Sequence, residues 1–185
     1  AHGVPFEFPG SPDSGPGLSD AGFELVRECN RLGILVDLAH INERGFWDTA
    51  EHTSAPLVVT HGAAHELSPS SRNLTDAQLD AIGETDGVVG INFHVGFLRA
   101  DGLRDPDTPL SVLVRHIDYA VHRIGIDHVA LGSDFDGAVM SQYLGDVAAL
   151  PKLIAELRDA GYDDSALRKV THENWIRVLA KTWAA

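Results

Sequence analysis

The chain has 185 residues, of which 44% are apolar and 22% are charged, and these proportions are ordinary for a soluble globular protein. Its formal net charge of −13 comes from 27 acidic and 14 basic side chains. Because a negative surface repels phosphate backbones and anionic lipids, we expect neither nucleic acid nor a membrane surface as a partner.

The sequence also lacks a membrane or disulfide signal. No apolar stretch approaches the roughly 20 residues that span a bilayer. The single cysteine, Cys29, cannot form an internal disulfide, and it is predicted to be a buried thiol on the apolar side of a helix. These features favour a cytoplasmic location.

Short apolar runs alternate with segments of helical period along the chain, which is the pattern of repeated βα units around a parallel sheet. The runs, such as "ILVDLA" and "GVVGINF", are nearly continuous in apolar residues, as is typical of strands covered on both faces. The predicted strands cover residues 34–39, 57–60, 87–93 and 128–133. We therefore expect an α/β fold, in a single domain segment over residues 1–185.

Amphipathic helices are predicted between and after these strands. The stretch "LSDAGFELVRECNRLG" places four side chains on one apolar face, namely Leu25, Val26, Cys29 and Leu32. The stretch "LSVLVRHIDYAVHRIG" forms a similar face from Leu110, Leu113, Val114, Ile117, Val121 and Ile124. Another helix opens with a capping box of Thr75 and Gln78, and the tail predicts two more helices separated near Gly161.

Polar side chains follow the predicted strands at the points where the apolar runs end. These side chains belong to His40, His61, His94 and Asp134. In parallel α/β sheets and barrels the chemistry lies at the carboxyl ends of the strands. Imidazole nitrogen and carboxylate oxygen are the non-thiolate ligands that zinc prefers. Spacing alone therefore leaves two interpretations open, a metal site and a set of hydrogen-bonded loop residues.

A more specific indication comes from the order of short motifs. Over essentially its whole length the chain resembles the renal-dipeptidase (membrane dipeptidase) family of zinc metallopeptidases, in the stretches "LGILVDLAHI", "APLVVTHG", "SRNLTDAQL", "GVVGINF", "HIDYAVHRIGIDHVALGSDFDG" and "HENWIRVL". The resemblance implies a (β/α)8 TIM-type barrel of the amidohydrolase superfamily, with two zinc ions bridged by a hydroxide. It also implies hydrolysis of dipeptides, often those with a D-residue at the carboxyl end.

The resemblance assigns roles to five residues. His40 in "DLAH" and His61 in "VTHG" match the two histidines that bind the second zinc. Asp134 in "GSDFDG" matches the catalytic aspartate beside the first zinc, which handles the proton. Arg72 in "SRN" matches the arginine that takes the substrate carboxylate, and His2 matches a histidine that contacts the scissile group. The implied enzyme is a zinc dipeptidase that acts through a metal-bound hydroxide on short substrates with a free carboxylate, including L-Xaa-D-Xaa dipeptides.

The chain departs from the family pattern on its amino-terminal side. The first zinc needs an H-x-D pair on the first strand and a bridging glutamate on the third, and no strand precedes His2 to carry them. About four or five βα units cannot close an eight-stranded barrel, and an open parallel sheet leaves two edges bare. We therefore expect this chain to supply roughly the carboxyl-terminal half of the barrel and to be active only with the missing amino-terminal half. A homodimer is a further expectation.

Alternative functions stay open at this point. The chain could form a non-catalytic half-barrel that binds or scaffolds a partner instead of a catalytic dipeptidase. The stretch "DFDG" also resembles the D-x-D-G of haloacid-dehalogenase phosphatases, although Ala138 stands where that motif continues with Thr. An H-x-D pair and a glutamate upstream of this chain would separate the dipeptidase from the scaffold.

Three further residues carry expectations of their own. Asp37, inside "LVDLA", is predicted to be a buried carboxylate, so it needs a hydrogen-bond partner. His94 stands where related proteins commonly have Tyr after "NF", which alters the expected pocket. His116 is grouped with the histidines on helices and loops, most of which are predicted to be exposed or half-buried imidazoles.

Overall fold

A three-stranded parallel sheet lies at the centre of the fold. In the computed structural model, which describes residues 15–183, the strands follow the spatial order β1 (Val58–Gly62), β2 (Val88–Ile91) and β3 (Val129–Leu131). The register places Val89 of β2 opposite Val129 of β3. Because all three strands run in one direction, the loops after their carboxyl ends meet at one edge of the sheet.

Helices connect and follow these strands. The α-helices within residues 15–183 are α1 (Asp20–Leu32), α2 (Glu43–His52), α3 (Asp76–Glu84), α4 (Val95–Leu98), α5 (Leu110–Ile124), α6 (Leu150–Asp159), α7 (Asp164–Arg168) and α8 (Asn174–Trp183). Two short 3-10 turns cover Ile126–His128 and Val147–Ala149, and a π-helical stretch, Lys169–Glu173, joins α7 to α8. In the described part of the chain, no helix is both long and apolar enough to cross a membrane.

Both faces of the sheet are buried. Val59, Val89 and Val129 lie in the main hydrophobic cluster with side chains of α3, α5 and α6. On the opposite face, Val58 and Val88 belong to a smaller cluster that includes Val178 of α8. This two-sided burial explains why the strands are apolar runs without alternation.

Most predicted elements are present. β2 and β3 lie within predicted apolar runs, and β1 begins in one and continues two residues past its predicted end. Helix α5 buries Leu113 and Ile117 as its pattern indicated. The capping box at α3 is also confirmed, with Thr75 and Gln78 bonded to each other's backbone. The two helical segments of the tail separate at Gly161, whose positive φ of 98° ends the first of them.

The predicted strand at 34–39 is wrong as a strand. This segment makes one isolated parallel bridge between Asp37 and Val58, supported by a bond from Leu38 N to Val58 O of 2.8 Å. A strand needs a ladder of consecutive pairs, and this segment forms only one. Asp37 is consequently exposed and not buried, although the expected hydrogen-bond partner exists in Thr60.

Two expectations about helices also fail. Leu25 and Leu32 are 51% and 53% exposed, and Cys29 is only half-buried. Helix α1 packs mainly against α2, where the Phe23 ring lies against His52, and not on the sheet. Helix α2 itself was not predicted, although Asn42 caps its first turn by accepting a bond from Gly45 N.

Candidate active site

His40 and His61 meet at the carboxyl edge of the sheet. His61 lies in β1, and His40 follows the segment that bridges to β1. Their Nε2 atoms are 2.9 Å apart, and their ring centroids are 4.9 Å apart. When two nitrogens bind the same ion at about 2.1 Å, they lie about 3.0–3.4 Å apart. The observed distance thus fits a shared metal ion with little movement, and it also fits a hydrogen bond between the rings.

The backbone at this edge adopts an uncommon conformation. His40 has φ of 66° and Asp134 has φ of 57°, both in the left-handed region that non-glycine residues rarely adopt. Such conformations cost free energy and persist where the surrounding structure imposes them, often at functional sites. Of the four side chains predicted to follow apolar runs, His40 and Asp134 therefore have a strained backbone.

The local environment keeps both imidazoles neutral. Although much of the His40 residue is exposed, partial desolvation of its ring, helped by the Arg72 guanidinium, lowers the pKa of His40 to about 4. Burial is also the largest cause that lowers the pKa of His61, and Arg72 acts in the same direction. Neutral imidazole is the form that binds a metal ion, so both rings are ready for ligation near neutral pH.

Arg72 lies directly beside this pair. Only 9% of the residue is exposed, its Nη2 donates to His61 O at 2.7 Å, and its guanidinium carbon lies 5.7 Å from the Phe97 ring centre. Its Nε donates to His40 Nδ1 at 3.1 Å. Because arginine is only a donor, this bond requires an unprotonated Nδ1. An ion on His40 Nε2 needs the opposite tautomer, so metal binding would require Arg72 to leave Nδ1.

Asp134 is held at the same edge by Asn92. The Asn92 side chain is 1% exposed, and its Nδ2 donates to Asp134 Oδ2 at 3.2 Å. The other end of the amide, Oδ1, accepts a hydrogen bond from His94 N, so the orientation of the amide is fixed. On the opposite side, a Cβ at Gly137 would lie 2.5 Å from Asp134 Oδ1, which explains the glycine of "DFDG".

The remaining predicted site residues do not join this pair. His94 is buried, with Nδ1 3.1 Å from the backbone N of Val139 and its ring against Phe97, so it supports the loop after β3. His2 lies outside the described residues. Within residues 15–183, no group of three or more His, Cys, Asp or Glu side chains is placed to hold a metal ion. The described residues thus bring two imidazoles together, and the nearby Asp134 carboxylate opposes, without reversing, the lowering of their pKa values.

A cavity of about 240 Å³ opens beside His40 and Arg72. Leu38, Phe46 and Val59 provide apolar lining. Its volume is suited to a small organic group and not to a macromolecule. Space for a small ligand therefore adjoins the guanidinium.

Sequence reasoning missed three polar residues with structural roles around the site. Asn92 directly follows the apolar run of β2, and Thr60 directly precedes His61, so inspection of every polar residue near a strand end would have found both. His116 is not half-buried but 0% exposed. His116 and Asp118 form an H-x-D triplet, yet this triplet lies within α5 and both imidazole nitrogens of His116 bond to backbone, at Ala64 N and Leu98 O.

Solved structures with the same fold include peptidases. A metallo peptidase from Rhodobacter sphaeroides, liganded with a phosphinate mimic of the dipeptide L-Ala-D-Ala, matches with a TM-score of 0.92 and 54% identity, over 98% of this chain and 52% of that chain. Dipeptidase AC, a metallo peptidase, matches with a TM-score of 0.93 and 53% identity, over 100% and 54%. The predicted fold class, an α/β chain of the (β/α)8 TIM-type barrel, is confirmed.

Curated proteins similar to this chain include an uncharacterised protein and a dipeptidase. An uncharacterised protein in the pqqA 5' region of Klebsiella pneumoniae is 57% identical over 181 residues, which are 98% of this chain and 67% of that protein. Dipeptidase tcpJ of Claviceps purpurea (strain 20.1) is 36% identical over 165 residues, 88% of this chain and 38% of that protein. The chain thus spans about half the length of the solved structures and about two thirds or less of these relatives.

A family model covers almost the entire sequence. The model of membrane dipeptidase, peptidase family M19, matches residues 7–185. The motifs that suggested this family include the residues that meet at the carboxyl edge of the sheet, His40, His61, Arg72 and Asp134. The chain therefore belongs to the membrane dipeptidase family of metallopeptidases, peptidase family M19.

Proposed function

We propose that the protein carrying this chain is a metal-dependent dipeptidase that hydrolyses the peptide bond of short substrates with a free carboxylate. The observation that carries this proposal is the 2.9 Å approach of the His40 and His61 Nε2 atoms, beside a buried Arg72. A pair of neutral imidazoles is a ligand set suited to zinc, so His40 and His61 would hold one ion. When bound, such an ion lowers the pKa of a water ligand and polarises the substrate carbonyl.

Asp134 is the proposed proton carrier. Its Oδ2 is held by Asn92 at 3.2 Å, which leaves Oδ1 to accept a proton and return it to the leaving amine. The fixed amide of Asn92 presents a donor, and not an acceptor, to Oδ2. The residue is thus oriented for proton transfer at a defined oxygen.

Arg72 is the proposed recognition residue. A guanidinium binds a carboxylate with two charge-assisted hydrogen bonds, which restricts substrates to those with an open carboxyl end. The Rhodobacter sphaeroides structure, with its phosphinate mimic of L-Ala-D-Ala, supports L-Xaa-D-Xaa dipeptides as the substrate class. His2 is proposed to contact the scissile group.

We further propose that residues 1–185 form one domain segment and that an amino-terminal half completes the barrel, with the ligands of the first zinc ion. Two observations support this. The chain spans about half the length of the solved structures it matches, and its residues 15–183 place no third ligand at the histidine pair. The cytoplasmic location and the homodimer stay predictions.

The test compares two histidines that share a local sequence. "VTH" occurs at residues 59–61 and again at 170–172, where His172 is exposed. In the full-length gene product, His61→Asn should remove the zinc ion proposed at His40 and His61 and abolish hydrolysis of L-Ala-D-Ala, whereas His172→Asn should retain both. The chain of residues 1–185 alone should be inactive until an amino-terminal half is added. A full-length protein that binds zinc but hydrolyses no dipeptide would favour the non-catalytic scaffold.

A further inference from the structure

Asp37 and Thr60, which have no role in the proposed function above, connect to His61 by hydrogen bonds. Thr60 Oγ1 donates to Asp37 Oδ2 at 2.6 Å, and the same oxygen lies 2.8 Å from His61 Nδ1. A hydroxyl has one proton to donate, and a carboxylate only accepts. Since the Thr60 proton is directed at Asp37, the Thr60 oxygen must accept from His61, and Nδ1 of His61 carries the proton.

The orientation of the Asp37 carboxylate is itself fixed by the backbone. Its Oδ1 accepts from Ala39 N at 3.0 Å and from Thr60 N at 2.9 Å. Oδ2 is therefore the oxygen that faces the Thr60 hydroxyl. The direction of every hydrogen bond from Asp37 through Thr60 to His61 follows from these contacts.

We propose that Asp37 and Thr60 are positioning residues, which hold His61 in the Nδ1–H tautomer so that the lone pair of Nε2 is available to a metal ion. This inference rests on the proposed metal site, where Nε2 of His61 faces His40 at 2.9 Å. Metal-binding histidines usually donate their other N–H to a hydrogen-bond acceptor, which orients the ring and fixes the tautomer. His61 has that arrangement, whereas His40 accepts a bond from Arg72 at Nδ1 and does not.

The direction of the bonds predicts an unusual ranking of variants. Thr60→Val removes the acceptor of Nδ1–H and leaves both tautomers accessible, so zinc binding should weaken about 10-fold. In Asp37→Asn the amide oxygen must keep the two backbone donors at Oδ1, so the NH₂ group faces Thr60. Thr60 would then donate to His61 Nδ1, move the imidazole proton to Nε2 and weaken zinc binding about 100-fold.

The double variant separates this inference from general damage to the fold. Without the Thr60 hydroxyl, the amide of Asn at position 37 has no path to His61. Thr60→Val with Asp37→Asn should therefore bind zinc about as tightly as Thr60→Val alone, about 10-fold more tightly than Asp37→Asn alone. Thr60→Ser keeps the hydroxyl and should retain wild-type affinity.

Zinc dissociation constants would be measured by chelator competition on the full-length gene product. Thr171→Val is a matched control, because Thr171 Oγ1 lies 2.9 Å from His172 Nδ1 in the second "VTH" and no metal role is proposed there. It should leave zinc affinity unchanged. A second measurement, the ¹⁵N chemical shifts of the His61 ring in metal-free protein, should show Nδ1–H in the wild type and Nε2–H in Asp37→Asn.

Wild-type zinc affinity in Thr60→Val and Asp37→Asn would overturn the inference, as would a double variant weaker than Asp37→Asn alone. An Nε2–H tautomer of His61 in the wild-type protein would overturn it as well. If the wild-type protein binds no zinc or hydrolyses no dipeptide, the proposed function fails, and the ring ¹⁵N shifts still decide whether Asp37 and Thr60 set the tautomer.

Discussion

Histidine side chains occupy two contrasting settings in this molecule. In the helical layer, which consists of α3, α5 and α6 packed on one face of the sheet, His116 of α5 is 0% exposed. Its Nδ1 accepts from Ala64 N at 3.1 Å, and its Nε2 donates to Leu98 O at 2.9 Å. At the carboxyl edge of the sheet, His40 and His61 instead direct Nε2 at each other. Backbone saturates both nitrogens of the first imidazole, whereas one nitrogen of each ring at the edge faces a common point.

This contrast predicts which region carries the proposed function. A polar group in the helical layer is bonded to backbone, so a change there alters mainly the free energy of unfolding. At the carboxyl edge of the sheet the backbone of His40 and Asp134 is strained, and the Nε2 atoms of His40 and His61 face each other. Changes at the edge should therefore alter metal binding and turnover, and changes in the layer should alter stability.

The largest expected effect is at the edge, in Asp134→Asn of the full-length gene product. Turnover of L-Ala-D-Ala should fall about 10²- to 10⁴-fold, because an amide cannot accept and return a proton. Zinc content and the urea midpoint should stay close to wild type, since asparagine tolerates the positive φ of this position. The measurements are kcat, metal content and urea unfolding on one preparation.

Asp136→Asn is the matched control for that substitution. Asp136 is exposed and also has a positive φ, 65°, so it reproduces the backbone change without the contact to Asn92. It should keep kcat. Cleavage of an aryl phosphate with magnesium that depends on Asp134, without dipeptidase activity, would instead support the phosphatase interpretation of "DFDG".

The layer is tested through the pH dependence of stability. Burial lowers the pKa of His116 from 6.5 to about 4. Between these values the unfolded state binds a proton that the native state does not, so stability falls as pH drops from 6.5 and levels off below about 4. The loss from this one group is up to about 3 kcal/mol.

Urea unfolding of wild type and His116→Gln across that pH range measures this contribution. The stability advantage of the wild type should be greatest near pH 7 and should shrink by up to about 3 kcal/mol towards pH 4. His122→Gln, at an exposed position of the same helix, controls for the change in helix propensity. Identical pH dependence in wild type and His116→Gln would remove the proposed difference between the two regions.

The sequence predicts the residues at the carboxyl edge of the sheet better than the contacts within the helical layer. The predicted apolar runs end within two residues of the ends of β1, β2 and β3, so the sequence predicts which side chains reach the carboxyl edge, including His61 and Asp134. Family motifs add Arg72, which spacing alone does not single out. Sequence reasoning can thus identify side chains whose position follows from a strand end or from a short local motif.

Contacts between segments that are distant in the sequence cannot be predicted in this way. His116 is buried because α5 turns it toward Ala64, 52 residues earlier, and helical period alone does not say which polar side chain a helix buries. The exposure of Asp37 depends on which other segments pack against residues 34–39. Its hydrogen bond to Thr60 joins residues 23 positions apart. Such bonds follow from register and packing, which no local pattern encodes.

A smaller effect at the edge is expected for Arg72→Met. The loss of hydrogen bonds to a charged carboxylate costs about 1.5–3 kcal/mol, so KM should rise about 10- to 150-fold with less effect on kcat. Zinc content should be retained, because Arg72 recognises substrate and does not bind metal in this proposal. A dipeptide amide, which lacks the carboxylate, should show little difference between the wild type and the variant, and Arg115→Met, exposed on α5, should behave as wild type.

The smallest expected effect is at the start of α3, in the helical layer. Thr75 Oγ1 accepts from Gln78 N at 3.4 Å, and Gln78 Oε1 accepts from Thr75 N at 2.9 Å, so each side chain satisfies a backbone donor that the helix leaves free. Thr75→Ala should lower the free energy of unfolding by about 1 kcal/mol, whereas Thr75→Ser should not. Urea unfolding at pH 7 measures both. Because no proton is exchanged at this cap, Thr75→Ala should lower the free energy of unfolding equally at pH 5 and at pH 7, unlike His116→Gln. A strongly pH-dependent effect of Thr75→Ala would show that α3 owes its stability to something other than its cap.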